Sequence, residues 1–126
     1  MRDARQPEGI PVPKPPYSPV VLAGDLVFTA GQVAIDTSGQ IVAGGIVEQT
    51  RQAMSNLAAC LSAAGCSMDD VVKATVFLTD LANFEECNEE YARHLNAPYP
   101  ARSTLQVGLA PGLLVEIEAV ARRPGS

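Results

Sequence analysis

Two glutamates near the C-terminus, Glu116 and Glu118, alternate with Val115, Ile117 and Ala119. In an extended strand that spacing puts both carboxylates on one face and the apolar side chains on the other. A carboxylate in so apolar a stretch is a candidate pocket wall, where partial burial can make a general base. Arg102 follows Pro100 and Ala101 and opens a strand expected to lie beside, or antiparallel to, the glutamate strand. Its guanidinium fork can grip a planar carboxylate with two parallel hydrogen bonds. Gly31 interrupts an apolar strand, which marks a bulge or lets a ligand touch the main chain. Tyr17, between Pro16 and Ser18-Pro19, is an aromatic held on a stiff loop. Other chemistries lack their residues. His94 is the one histidine, with no Cys or His at ligand spacing, so no metal site is expected. Cys60, Cys66 and Cys87 form no C-x-x-C pair and read as buried thiols of a reduced, cytoplasmic protein. There is no G-x-S-x-G, phosphate loop or G-x-G-x-x-G. The acidic runs Asp69-Asp70 and Glu85-Glu86 with Glu89-Glu90 read as solvated helix surface and caps.

The elements that must position these residues follow from periodicity. Residues 1–16 hold five of the ten prolines, so an irregular, extended arm is expected there. Val20–Leu22 and Leu26–Ala30, around the turn residues Ala23-Gly24-Asp25, predict a hairpin. Ala53, Met54, Leu57, Ala58, Leu61 and Ala64 recur at three and four, which predicts a helix over 46–64 ended by Gly65. Val72, Ala74, Val76 and Leu78 predict one apolar face of a strand. Asp80 or Thr79 can cap a second helix, whose apolar stripe is read as Leu81, Phe84, Asn88, Tyr91 and Leu95. Pro98-Tyr99-Pro100 ends that helix, and strands over 102–107 and 113–121 complete the chain. The expected order, ββ(β)-α-β-α-β-β, makes a single α/β domain over residues 1–126. One mixed sheet carries both helices on one face in a two-layer sandwich. Two helices leave the other face open, so an oligomer that closes these faces is expected.

Composition narrows the function classes. The 126 residues are 47% hydrophobic and 18% charged, a folding composition with room for one core. Trp is absent and aromatics make up 5%, too few for a base-stacking platform. The net charge of −5 repels phosphate backbones and anionic lipid, and Arg122-Arg123 is the one basic cluster. Neither nucleic acid nor membrane is an expected partner. No apolar run reaches the length of a membrane span, and the first residues lack the apolar core of a signal peptide.

Taken in order, PYSP…AGDLVFTAGQVA (from Pro16), VVKATVFLTD (71–80), NEEY (88–91), PYPARS (98–103) and VEIEAVA (115–121) resemble the RidA family, also called YjgF. The resemblance spans roughly residues 14–123. It implies a chorismate-mutase-like fold assembled as a homotrimer with sites at the subunit clefts. It also implies hydrolysis of reactive 2-imino or enamine acids, without cofactor or metal. By the same resemblance Arg102 binds the substrate carboxylate and Glu116 holds the attacking water. Tyr17, Gly31, Ala30 and Thr104 line the substrate pocket, and Asn88 supports the site or the interface. Glu118 receives no direct role. The chain departs from the family at several of these places. Ala30 stands where a serine is usual, Pro16 and Pro19 replace the Gly and Gln of G-P-Y-S-Q, and Thr104 replaces a cysteine of well-known bacterial members. The stretch between Arg102 and Leu109 is one residue short.

The expected activity is therefore conversion of 2-iminobutanoate and 2-iminopropanoate, with its enamine 2-aminoacrylate, to 2-keto acids and ammonia. A specialised deaminase, for 2-aminomuconate or for a biosynthetic intermediate, is the first alternative. A non-catalytic trimer that binds small carboxylates is the second, and the ribonuclease activity of some relatives is the third. Burial raises a glutamate pKa and a neighbouring arginine lowers it, so the direction at Glu116 is left to the structure.

Overall fold

The computed structural model describes residues 1–125. Seven strands and two helices follow the chain: β1 (Asp3–Arg5), β2 (Val20–Ala23), β3 (Leu26–Thr29), β4 (Gln32–Val33), α1 (Ile46–Ala63), β5 (Val71–Leu78), α2 (Phe84–Ala92), β6 (Ala101–Gln106) and β7 (Val115–Arg122). They form one sheet in the order β1-β2-β3-β7-β5-β6, with β4 also on β7. Every pairing is antiparallel except β5–β6, which the α2 crossover joins in parallel. Val20, Leu22, Val27, Ala74, Val76, Leu78, Ile117 and Ala119 share one core with Met54, Leu57 and Leu61 of α1 and Cys87 and Tyr91 of α2. Both helices thus cover the same face, as the two-layer reading expects.

Helix α1 begins where the Gly45 N–H donates to Glu48 Oε1 at 2.8 Å. It ends at Gly65, whose φ of +75° lets Cys66 N–H reach back to Leu61 O at 2.9 Å. Two buried amides on α1 tie the sheet in place. Gln49 donates to Gly112 O and accepts from Leu114 N–H, both at 2.8 Å, holding the approach to β7. Asn56 donates to Val33 O at 3.0 Å and to Ile35 O at 2.8 Å, holding β4 and the chain after it.

Four expectations are corrected. The arm is not wholly irregular: Asp3–Arg5 lie ahead of the first proline and add an edge strand to β2. Val72 is 49% exposed, because a register shift between Val71 and Lys73 puts Val71 into the core in its place. Leu81 belongs to a short 3₁₀ turn, capped by Asp80 accepting from Ala82 N–H, so α2 starts only at Phe84. The core-facing residues of α2 are consequently Cys87 and Tyr91, while Leu81 and Phe84 are exposed. Finally, β6 is not next to β7. It is the far edge strand, with β5 between them.

The open face is mixed. Val21, Phe28, Val120 and Lys73 stand in register across it, and Phe77 stands between Glu116 and Leu105. Phe28 is 42% and Leu105 45% exposed, an apolar surface that the helices do not cover.

Candidate functional site

Along β7, Val115, Ile117, Ala119 and Ala121 are buried and Glu116 and Glu118 occupy the open face. Glu116 pairs with Val33 of β4 on one side and Phe77 of β5 on the other. Between β3 and β4 the chain leaves the ladder at Ala30-Gly31. The Thr29 hydroxyl accepts from Ala119 N–H at 3.1 Å, and Ala30 N–H donates to Pro19 O at 2.8 Å. The space beside Gly31 belongs to Glu116: a Cβ on Gly31 would lie 2.6 Å from Glu116 Cδ and 2.8 Å from its Cγ. Half-burial, and then the charge of Glu118, push the Glu116 carboxyl above its ordinary value. Gly31 also lines a cleft of about 320 Å³ beneath the proline arm, with Tyr17, Pro19, Gln32 and Val33. Tyr17 N–H donates to Pro15 O at 2.8 Å, which fixes the turn carrying the exposed ring.

The arginine stands elsewhere. Arg102 pairs with Ala74, and so faces the helix side of the sheet at its far edge. Its Nη2 donates to Asn88 Oδ1 at 2.6 Å. The guanidinium carbon is 4.8 Å from the ring centroid of Tyr91 and 5.6 Å from that of Phe84. Among the described residues no carboxylate pairs with it. Arg102, Asn88, Tyr91, Ala92, Tyr99 and Pro100 line a cleft of about 290 Å³. A stacked guanidinium with no acidic partner at the wall of a cleft has the chemistry to take an anion. Thr104 shares the face of Arg102 but lies outside the residues lining that cleft. Ala30 serves through its main chain, its carbonyl accepting from Gln32 Nε2 at 3.3 Å.

The structure therefore separates the residues into two groups and overturns the expectation of neighbouring Arg102 and Glu116 strands. Gly31 abuts Glu116, which stands on the open face, and Tyr17 lies on the arm over a cleft that Gly31 shares with Asn56 of α1. Arg102 and Asn88 belong to the helix side. Arg102 is level with Ala74 and Ala119, three positions along β7 from Glu116, and two strand spacings away, roughly 10 Å. Since the two side chains leave opposite faces of the sheet, they cannot close on one small molecule within one chain.

Sequence reasoning missed the aromatic setting of Arg102. Phe84, Asn88 and Tyr91 fall at spacings of four and three, one stripe of a helix, and that signal was assigned to the core. It also placed Glu90 on a solvated surface. Glu90 is 3% exposed, covered by its own partners: His94 Nε2 at 2.8 Å, Arg51 Nη2 at 3.2 Å and Arg93 Nη1 at 3.6 Å. Burial opposes its charge, but His94 and Arg51 together hold its carboxyl below the ordinary value. The three cysteines are buried and unbridged, as expected, and burial pushes the Cys60 thiol up to about 12. No helix among the described residues is long and apolar enough to cross a membrane.

Comparison with known proteins bears on the fold and the family. The family model described as Endoribonuclease L-PSP matches residues 9–123. The human 2-iminobutanoate/2-iminopropanoate deaminase is 44% identical over 108 residues, covering 84% of this chain and 79% of the human protein. The crystal structure of RidA from the Antarctic bacterium Psychrobacter superposes with a TM-score of 0.90 at 37% identity, covering 96% of this chain and 99% of that one. That of E. coli TdcF with bound serine superposes with a TM-score of 0.88 at 38% identity, covering 96% and 98%. With a family model matched over most of its length, a fold that superposes closely on RidA and more than a third identity to these relatives, the chain belongs to the RidA/YjgF family.

Proposed function

We propose that the protein hydrolyses reactive 2-imino acids, 2-iminobutanoate and 2-iminopropanoate among them, to 2-keto acids and ammonia. The observation that carries the reading is the pair of half-sites. An unpaired guanidinium faces one cleft, and a half-buried carboxylate of raised pKa lies against Gly31 on the opposite face. They become one site when the Arg102 edge of one copy meets the Glu116 face of the next. The uncovered Phe28 and Leu105 supply apolar contact for such an assembly. In any closed ring every copy gives and receives, and the homotrimer is the ring that the family resemblance implies.

In that site the fork of Arg102 holds the substrate carboxylate and sets C2 before Glu116. An enamine first tautomerises to the imine. Glu116 orients a water and takes one of its protons as the oxygen bonds to C2. The C=N pair moves to nitrogen, which takes that proton from Glu116, giving a carbinolamine. Glu116 then accepts the carbinolamine hydroxyl proton and hands it to nitrogen as the C=O bond forms and ammonia leaves. Water and imine are consumed and keto acid and ammonia appear, so no cofactor or metal is called for. A base of this kind contributes about 10²–10⁴-fold.

Identity to a named 2-iminobutanoate/2-iminopropanoate deaminase supports the substrate class. The serine bound to TdcF supports a small carboxylate in the cleft. An RNA substrate fits less well, because Glu116 and Glu118 share one face and the chain carries a net charge of −5. The test couples the protein to a threonine dehydratase with semicarbazide present to trap escaping imine. The wild type should suppress semicarbazone formation, and Arg102→Ala and Glu116→Gln should not. Full suppression by either variant removes that residue from the mechanism. Binding of keto acid without suppression by the wild type points instead to a carboxylate-binding assembly.

A further inference from the structure

Arg102 has five N–H donors, and Asn88 engages only Nη2. A long side chain with so many free donors needs something else to fix its plane. Phe84, Asn88 and Tyr91 stand on one stripe of α2 and all three meet the guanidinium. Both ring centroids lie within 6 Å, inside the range of cation–π attraction. Tyr91 is the closer, is 5% exposed, and lines the same cleft as Arg102. Its ring face is what it presents to the guanidinium carbon.

We propose that Tyr91, aided by Phe84, is a positioning residue that fixes the guanidinium plane of Arg102, so that the donors left free by Asn88 face the cleft and take a carboxylate. This deepens, and rests on, the reading of Arg102 as the carboxylate receptor. The rings act through Arg102 and touch no reacting atom, so they set affinity and not the chemical step.

The experiment measures equilibrium binding of 2-oxobutanoate, the stable keto-acid product, together with KM and kcat for the imine. Tyr91→Leu should weaken binding and raise KM about tenfold, with kcat changed less than about threefold. Tyr91→Phe should restore both, since phenylalanine offers the same ring face. Its melting temperature should stay close to that of the wild type, since the buried ring and its packing are kept. Phe84 is 40% exposed, so Phe84→Leu tests the second ring without entering the core, with about a threefold rise in KM expected. If Arg102→Ala binds 2-oxobutanoate like the wild type, the carboxylate-receptor reading itself fails. If Arg102→Ala loses binding while folded Tyr91→Leu and Phe84→Leu keep it, the positioning role is wrong. Equal loss in Tyr91→Phe and Tyr91→Leu also overturns it, by showing that the hydroxyl meets the ligand.

Discussion

In the proposed reaction Glu116 is a base made by its surroundings. It must be ionised to accept a proton, and its pKa lies above the ordinary 4.5. The acid limb of kcat/KM should therefore fall away at higher pH than for an ordinary glutamate, and Glu116→Gln should lack the limb altogether. Burial is the larger cause and Glu118 the second. Removing that second charge in Glu118→Gln should move the midpoint down while activity persists, as pH–rate profiles of the three proteins will show. Arg102 is the complementary case. A lysine there keeps the charge but has no fork and no plane to stack on Tyr91. Arg102→Lys should lose at least about tenfold in kcat/KM, and Arg102→Ala about a hundredfold.

At the scale of the element, the site depends on how β4 is held. Gly31 leaves room that the Glu116 carboxylate occupies. Gly31→Ala should push that flexible carboxylate aside by about an ångström, lowering kcat about a hundredfold with little change in melting temperature. Asn56→Leu acts differently, stripping Val33 O and Ile35 O of their donor. Urea unfolding should show a loss of about 2 kcal/mol. Elements whose signals are local were legible in the sequence. Helix α1 shows its period and its glycine stop, and the β2–β3 hairpin shows its turn. What escaped is non-local. Which strand β6 pairs with is decided by the α2 crossover, and the exposed place of Val72 by a bulge formed against β7. The residue types of the site could be read from the chain, and Arg102, Glu116 and Gly31 stand where chemistry is possible. That Arg102 faces the helices and Glu116 the open face could not be read, because the face a strand residue shows depends on its neighbours in the sheet.

For the whole molecule, opposite-facing half-sites have a distinctive consequence. Arg102→Ala chains keep Glu116, and Glu116→Gln chains keep Arg102. Unfolded together and reassembled in equal amounts, the two inactive variants should recover about a quarter of wild-type activity, the share of interfaces that join one intact half from each. Recovery no greater than that of either variant alone would place both residues in sites of a single chain. The core, meanwhile, holds all three cysteines, with burial raising each thiol. Thr104, on the face of Arg102, carries a hydroxyl and no thiol. On the proposed reading the imine carbon is an electrophile to which an exposed thiolate would add, and the three buried thiols offer it none. The working life of the proposed catalyst should then be set by unfolding and not by covalent capture of its own thiols.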